Sequence, residues 1–306
     1  MMKWLIVGAL LALVAGCDAR GRDSAKASPQ GDVIEQREAR LQAALADSNV
    51  SADDADEPVA RWLLPAELAE ISGLALTPDG RLFTHNDESA RISEIDYRKG
   101  TVTKFFFAGE KGLHADFEGL TFANDRFWML ASNGVLYEFA EGAQGQRVDV
   151  TVHDTHLGKE CEFEGIAWDA NAGSFVLSCK TVGKNKTPKD LVLYRWRPGA
   201  EGGSQVSQVS VPQGDLRGEH HWKALRPTDI TVDPANGNYV LVDAQEHALI
   251  AITPDGKPVL AHRLRGQHPQ PEGVAITRDH ILIIGDESTN SAATITLYRW
   301  PEQRGN

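Results

Sequence analysis

A short phrase occurs five times in this chain: an apolar residue or proline, a polar residue, a glycine or aspartate, and an aliphatic residue. Its copies are Ile71-Ser72-Gly73-Leu74, Phe117-Glu118-Gly119-Leu120, Phe163-Glu164-Gly165-Ile166, Pro227-Thr228-Asp229-Ile230 and Pro271-Glu272-Gly273-Val274. Successive copies are 46, 46, 64 and 44 residues apart, and each begins an apolar segment that is followed by a turn and a second apolar segment. A repeat of about 45 residues with this pattern is typical of one blade of a β-propeller. The sequence therefore predicts an all-β, five-bladed β-propeller.

The last repeat unit supplies only three strands, because the chain ends soon after Trp300-Pro301. The apolar segment Val59 to Leu64 precedes the first phrase and has no place in the first unit, so we expect it to complete the last blade. Pairing of this kind closes the ring and removes open sheet edges. The 64-residue unit could instead contain a sixth blade, but its additional segments, Gly199 to Gly203 and Gln213 to Trp222, are polar and are interpreted as loops.

The N-terminus is predicted to direct export. Residues 1–16 combine Lys3 with an apolar run that is short for a membrane span and typical of a signal peptide. The sequence Val14-Ala15-Gly16-Cys17 resembles the bacterial lipobox, which implies that Cys17 is acylated and anchors the mature chain in a membrane. An ordinary cleavable signal is the alternative. Asp18 favours retention at the inner membrane, with the outer membrane as the other location.

Two regions follow the expected lipidation site. Residues 17–57 are rich in Ala, Asp, Ser and Gln and are interpreted as a flexible tether, with a weak helical stripe at Ile34, Leu41 and Leu45 that predicts one short helix. Residues 58–301 are predicted to form the propeller domain. The formal net charge of −12 argues against nucleic acid as a partner.

Cys161 and Cys179 flank a turn between two predicted strands. Pairing the strands symmetrically about Ala170 places the two cysteines opposite each other. Because an exported domain folds in an oxidising compartment, we expect a disulfide between them; two free cysteines are the alternative.

The phrases are predicted to bring carboxylates together at one mouth of the central channel. In a propeller, the innermost strands start and the second strands end on the same face. The innermost strands are expected to contribute Glu118, Glu164, Asp229 and Glu272, with Glu70 and Ser72 in the first blade. The second strands end at Asp87, Asn133, Cys179 followed by Lys180, Asp243 and Asp286.

Converging carboxylates raise one another's pKa and require neutralisation. Asp, Glu and Asn oxygens suit Ca²⁺, whereas no His or Cys pair has the spacing of a zinc or copper site. The expected ligand set is Glu118, Glu164, Asp229, Glu272, Asp87, Asp243 and Asp286. The alternative is structural: each glutamate accepts hydrogen bonds from backbone amides or pairs with Lys180 or Arg91. No sequence pattern requires an organic cofactor.

The phrases, together with Asp87-Glu88-Ser89 and Asp286-Glu287-Ser288, resemble the SdiA-regulated propellers of bacterial envelopes, which are related to esterase-like phytase domains. The resemblance covers most of residues 58–300 and implies a propeller with calcium in its channel. The fourth phrase departs from the pattern, because it has Thr228-Asp229 in place of Glu-Gly or Ser-Gly.

Three functions remain open at this point. The first is a lipid-anchored, periplasm-facing propeller that binds Ca²⁺ and a small-molecule or protein ligand at one channel mouth. The second is a metal-dependent hydrolase of phosphoesters or lactones, with Glu118 or Glu164 as the general base. The third is an envelope scaffold without a ligand in the channel.

Overall fold

The computed structural model describes residues 29–46, 57–182, 189–199, 205–218, 220–264 and 266–300. The predicted signal peptide, Cys17 and Asp18 lie outside the described residues. Within the described ranges, no helix is both long enough and apolar enough to cross a membrane.

The chain forms five antiparallel sheets that are arranged as the blades of a β-propeller, as predicted. The first blade contains β2 (Ile71–Leu76), β3 (Leu82–Asn86), β4 (Arg91–Asp96) and β5 (Thr101–Ala108); the second contains β6 (Phe117–Ala123), β7 (Arg126–Ala131), β8 (Val135–Phe139) and β10 (Val150–Asp154). The third contains β11 (Cys161–Asp169), β12 (Ser174–Val182), β13 (Asp190–Arg197) and β14 (Gln205–Pro212); the fourth contains β15 (Asp229–Val232), β16 (Tyr239–Asp243), β17 (Ala248–Ile252) and β18 (Pro258–Arg263). The fifth contains β19 (Pro271–Ile276), β20 (Ile281–Asp286), β21 (Thr294–Arg299) and β1 (Ala60–Leu63).

The N-terminal strand closes the ring, as the sequence predicts. Strand β1 pairs antiparallel with β21, and Ala60 lies opposite Leu297. Trp62 is buried on this strand, whereas Leu63 is 70% exposed. The fifth blade is therefore built from both ends of the domain, and this pairing closes the ring of blades.

Three further short elements occur among the described residues of the propeller. A 3-10 helix, Ala66–Leu68, links β1 to β2, and the two-residue strand β9 (Arg147–Val148) adds to β5 in parallel. In the longest unit, where the sequence predicts a polar loop, a short helix α2 (Gln213–Arg217) follows β14. The third blade accordingly has four strands and no additional blade follows it before β15 in the described residues.

The segment predicted as a tether contains helix α1 (Pro29–Ala46), which contacts the propeller. Leu41 is fully buried in the same apolar cluster as Trp62, and the guanidinium of Arg37 lies 5.8 Å from the centre of the Trp62 ring. The helix therefore packs where β1 closes the ring.

The disulfide between Cys161 and Cys179 is present, with the two Cα atoms 5.7 Å apart. The register on which we based it is wrong, because Cys161 lies opposite Val182 and Cys179 lies opposite Phe163. A register shift on either side of Phe163 brings the two cysteines close enough to bond.

The five innermost strands crowd together at the level of the phrase glycines. A Cβ atom on Gly119 would lie 2.9 Å from the Ile166 backbone nitrogen, and one on Gly165 would lie 2.8 Å from the Asp229 Cα atom. These positions therefore require glycine for steric reasons. The crowding narrows the channel between its two mouths.

Candidate functional site

A β-bulge positions the glutamate of each Glu-Gly phrase. The register of the innermost strand with its neighbour shifts between Phe117 and Gly119, between Phe163 and Gly165, and between Pro271 and Gly273. The skipped residues are Glu118, Glu164 and Glu272. A bulge bends the strand and redirects the side chain of its extra residue. Each Glu-Gly phrase therefore coincides with a β-bulge. For this reason the side chains of these glutamates depart from the regular in-and-out alternation of the strand.

The three glutamates line one small cavity at the channel mouth where the innermost strands begin. The cavity has a volume of about 160 Å³. Its wall consists of Glu70, Ile71, Ser72, Asp87, Glu118, Glu164, Lys180, Glu272 and Glu287. We call this cavity the acidic mouth. Six of its nine lining residues are acidic and one is basic, so acidic groups outnumber basic groups in its wall.

Lys180 provides the positive charge of the acidic mouth. Its Nζ atom donates to Glu164 Oε1 at 2.7 Å, and Glu164 is only 2% exposed. Burial lowers the pKa of Lys180, but the charge and hydrogen bond of Glu164 and the charges of Glu118 and Glu272 raise it more, so that the pKa lies above 10.5. Lys180 therefore stays protonated and acts as an internal cation. Glu272 is bound differently: its Oε1 atom accepts a hydrogen bond from Gln270 Nε2 at 2.7 Å.

All three glutamates have raised pKa values. Burial raises the pKa of Glu118 to about 9, and the charges of Glu164, Asp116 and Glu272 add to the effect. Burial and the charge of Glu164 raise the pKa of Glu272 to about 8. Burial also raises the pKa of Glu164 to about 7, against the opposing influence of Lys180. At neutral pH the carboxyl groups of Glu118 and Glu272 are consequently protonated.

The outer part of the acidic mouth adds three further carboxylates. The charge of Asp87, followed by burial, raises the pKa of Glu70, while burial is the main cause of the raised pKa of Asp87 and of Glu287. These groups belong to the first and fifth blades. Together with Glu118 and Glu272 they form the part of the mouth that Lys180 does not neutralise directly.

Three of the predicted ligand residues do not line the acidic mouth. Asp229 is fully buried at the glycine position of the fourth phrase, where its Oδ2 atom accepts from the Val274 backbone N–H at 2.7 Å. The backbone N–H groups of Ile230 and Leu74 lie near enough to this carboxylate to lower its pKa, while the hydrogen bond to Val274 joins the innermost strands of the fourth and fifth blades. Burial raises its pKa well above the ordinary value, although these amides oppose the shift.

Asp243 and Asp286 are held by neighbouring loops. Asp243 accepts hydrogen bonds from the backbone N–H groups of Arg226 and Glu246. Asp286 Oδ2 accepts from Thr294 and lies 2.7 Å from His268 Nδ1, and His268 Nε2 is in turn 2.6 Å from the Tyr298 hydroxyl. In the fifth blade it is the next residue, Glu287, that lines the mouth.

The sequence predicts only some of the remaining site residues. Lys180 and Arg91 are the predicted partners of the glutamates; Lys180 has this role, whereas the Arg91 guanidinium lies over the Phe105 ring at 4.5 Å. Asp116 influences the pKa of Glu118 and was not anticipated, although it directly precedes a phrase. Among the described residues, no group of three or more His, Cys, Asp or Glu side chains is already arranged to hold a metal ion.

Comparison with known proteins supports the fold. No family model and no curated protein matches the chain. Glutaminyl cyclase from Myxococcus xanthus is similar in structure, with 14% identity, a TM-score of 0.53, and coverage of 80% of this chain and 97% of the cyclase. A luciferin-regenerating enzyme has 13% identity, a TM-score of 0.51, and coverage of 79% and 95%. A gluconolactonase from Xanthomonas campestris has 13% identity, a TM-score of 0.45, and coverage of 76% and 72%. At these identities, the two structures with TM-scores above 0.5 support the β-propeller fold of the chain and no more than the fold.

Proposed function

We propose that the acidic mouth binds a hard divalent cation, for which Ca²⁺ is the best match, and that a small-molecule or protein ligand is recognised at the same mouth. One observation carries the proposal. Glutamates from three blades converge in a cavity that contains a single lysine, and their pKa values are raised by burial and by one another. Among the described residues of this cavity Lys180 is the one basic group, so the carboxyl groups hold protons, and a cation can bind by displacing them.

The residues fit such an ion in their chemistry. Ca²⁺ prefers oxygen ligands, and the mouth offers carboxylates from Glu118 and Glu272 and, farther out, from Glu70, Asp87 and Glu287. Glu164 already holds Lys180, so it is the least available of the three phrase glutamates. A bound divalent ion would supply positive charge that attracts and polarises an anionic group of a ligand. Binding requires the carboxyl groups to lose protons, so affinity should increase with pH.

Thermal unfolding with Ca²⁺ or with a chelator tests this proposal. A ligand that binds only the folded state stabilises it, so millimolar Ca²⁺ should raise the melting temperature of the wild-type protein. In Glu118→Gln and Glu272→Gln the increase should be much smaller, because each variant keeps the shape of the side chain but loses a ligand charge. Glu57→Gln, which changes an exposed residue outside the mouth, is the matched control. An absence of any Ca²⁺ effect on the wild-type protein would refute cation binding.

A hydrolase is the second candidate, and the pair of Glu164 and Lys180 favours it. A general base works best when its pKa lies near the working pH, and the pKa of Glu164 is about 7. Lys180, at 2.7 Å from Glu164, could stabilise negative charge that develops on a phosphoester or lactone substrate. The glutaminyl cyclase and the luciferin-regenerating enzyme show that related propellers can be enzymes, but fold alone does not define function.

A panel of chromogenic phosphoesters, esters and lactones distinguishes the two candidates. If the mouth is catalytic, turnover should be lost in Glu164→Gln and retained in Glu57→Gln, with both variants folded. If no substrate in the panel is turned over while Ca²⁺ still stabilises the protein, binding remains the function that the site supports. If neither effect is seen, the scaffold alternative remains.

We also propose that the propeller is anchored by a lipid on Cys17 and faces the periplasm, with the inner membrane favoured by Asp18. The support for this is the lipobox-like sequence, the apolar N-terminal run and the resemblance to SdiA-regulated envelope propellers. Metabolic labelling with a palmitate analogue should mark the wild-type chain and not Cys17→Ala. Fractionation of the membranes then determines which membrane holds the protein, and an unlabelled wild-type chain would refute the anchor.

A further inference from the structure

The opposite mouth of the channel is a second cavity with a different chemistry. It has a volume of about 1040 Å³, and its rim includes the turns that join the first and second strands of several blades. This volume is at the upper end of the range for sites that bind small organic molecules. We call this cavity the wide mouth. The crowded level of Gly119, Gly165 and Asp229 separates it from the acidic mouth.

Apolar side chains, one from each blade, form one layer of the wall of the wide mouth. The third residue after the glycine or aspartate of each phrase is large and apolar, namely Leu76, Phe122, Trp168, Val232 and Ile276. The first four of these are only half-buried, whereas Ile276 is buried. They therefore present apolar surface to the cavity, and such surface gains free energy when a ligand covers it.

Each of the two aromatic side chains of this wall packs against a buried aromatic ring. The Phe122 ring packs edge-on against the buried Phe127 ring, with centroids 4.9 Å apart. The Trp168 ring lies against the buried Phe175 ring, also at 4.9 Å. Rings that are already held in place lose little conformational freedom on binding, so this wall is preorganised for a flat apolar group.

The charges at the rim of the wide mouth indicate which head group the ligand would carry. Its acidic groups lie in ion pairs: Asp79 and Glu94 share Arg81 with Glu141, Asp96 pairs with Lys99, and Asp279 pairs with Arg98. Asp233 is buried and accepts a hydrogen bond from Trp300 Nε1 at 2.8 Å.

One basic group at this rim is left over. Arg278 is exposed and forms no ion pair with any residue that the structure describes. It is therefore the rim charge most available to a ligand, and it would attract a carboxylate or another small anion.

We propose that the wide mouth is a second binding site, which takes an organic anion with a flat apolar body. The apolar body lies against Phe122 and Trp168, and the anionic group is directed to Arg278. This site is independent of the cation site, since the two cavities share no lining residue. The anion preference of the wide mouth rests on Arg278, whereas Lys180, the basic residue in the wall of the acidic mouth, is already bound to Glu164.

Calorimetric titration with 2-naphthoate, 2-naphthol and 2-naphthylmethylammonium tests the proposal on the full chain. We expect 2-naphthoate to bind most tightly of the three. Arg278→Gln should weaken 2-naphthoate about two- to fivefold, the effect of an exposed ion pair, and should leave 2-naphthol unchanged. Arg263→Gln, an exposed arginine on the outer strand of the fourth blade, is the matched control.

Substitutions in the apolar wall provide a second test of the proposal. Trp168→Ala and Phe122→Ala should each weaken all three naphthalene compounds by about tenfold or more, because the burial of an aromatic surface is lost. Circular dichroism establishes whether these variants fold. If they do not fold, the effect of Arg278→Gln on 2-naphthoate binding still tests the proposal. Glu272→Gln should have no effect on 2-naphthoate.

Three results would contradict the proposal. The first is an absence of 2-naphthoate binding at millimolar concentration in the wild-type protein. The second is binding that neither Arg278→Gln nor a folded wall variant weakens, since the ligand would then lie elsewhere. Equal affinity for the naphthoate and the ammonium compound would refute the preference for anions.

Discussion

Lys180 determines how much negative charge the acidic mouth has available for an external cation. Its ammonium group donates to Glu164 at 2.7 Å and lowers the pKa of Glu118 and Glu272 through its charge. Lys180 is partly exposed, but its charge lies in the same cavity and therefore competes with a second cation, because like charges at short distance repel each other. Lys180 is therefore both the structural partner of Glu164 and the group that limits cation affinity.

Replacement of Lys180 with methionine should increase Ca²⁺ affinity. The substitution keeps the apolar length of the side chain and removes the competing charge, and we expect about tenfold tighter binding, which corresponds to about 1.4 kcal/mol. Calorimetric titration with Ca²⁺ measures the change. Lys257→Met, at an exposed turn on the face of the wide mouth, is the control and should leave affinity unchanged. Weaker Ca²⁺ binding in Lys180→Met would show that the lysine assists the site instead of competing with the ion.

At the scale of the strands, the phrase glycines allow the innermost strands to approach one another. Gly119→Ala places a Cβ atom 2.9 Å from the Ile166 backbone nitrogen, and the backbone there cannot easily move. We expect the free energy of unfolding to fall by about 1–3 kcal/mol, as for other overpacked positions. Gly214→Ala in α2, where nothing lies within 4 Å of the added atom, should be neutral or slightly stabilising. Urea denaturation of both variants checks this, and equal stability would contradict the steric account.

Strand β1 closes the ring of blades, and the side chains on one face of this strand make the contacts. Trp62 is 5% exposed and packs with Leu41 and the fifth blade, whereas the adjacent Leu63 is 70% exposed. Trp62→Ala should lower the free energy of unfolding by about 3–5 kcal/mol, the usual cost of removing a buried aromatic side chain. Leu63→Ala should change it by no more than about 0.5 kcal/mol. If both substitutions have similar effects in urea denaturation, β1 does not close the ring in the way that its burial indicates.

The sequence pattern is sufficient to predict the five blades and the closing strand, because the phrases recur at blade spacing and the closing segment is apolar. The disulfide is also predicted correctly, but from a strand register that the structure does not have. The pattern is less informative about side-chain direction. Asp229 occupies the position of a glycine, not that of a glutamate, so its carboxylate lies at the axis and is bound by backbone amides. Asp286 is bound by His268, which lies in the loop before the fifth phrase and not in the phrase itself. Local donors of this kind lie outside the repeated phrase, and periodicity cannot reveal them.

At the scale of the whole molecule, the acidic mouth links stability to pH. The pKa values of Glu164, Glu272 and Glu118 are about 7, 8 and 9, above the ordinary value of 4.5. The folded protein therefore retains protons that the unfolded chain has released. Where the folded state binds more protons, the free energy of unfolding falls as pH rises. The stability that these groups contribute is present below the ordinary pKa and is lost by about pH 9.

Urea denaturation in the presence of chelator, from about pH 5.5 to about pH 9, should therefore show decreasing stability of the wild-type protein. The double variant Glu118→Gln with Glu272→Gln removes two of the titrating groups, so its stability should depend less on pH over the same range. Other titrating groups also contribute to the pH dependence of both proteins. The quantity to compare is therefore the difference in pH dependence between the wild-type protein and the double variant. Identical pH dependence would mean that these carboxyl groups do not have raised pKa values in the folded protein.

Proton release on Ca²⁺ binding is the most direct test of the acidic mouth as a cation site. Glu118 and Glu272 have pKa values of about 9 and 8, so both are protonated at neutral pH in the absence of metal. Calorimetric titration with Ca²⁺ near neutral pH, in buffers with different ionisation enthalpies, measures how many protons leave. We predict the release of about one to two protons for each Ca²⁺ ion bound, and a smaller number in Glu272→Gln. An absence of binding, or binding without proton release, would contradict the proposal that these carboxyl groups hold the ion.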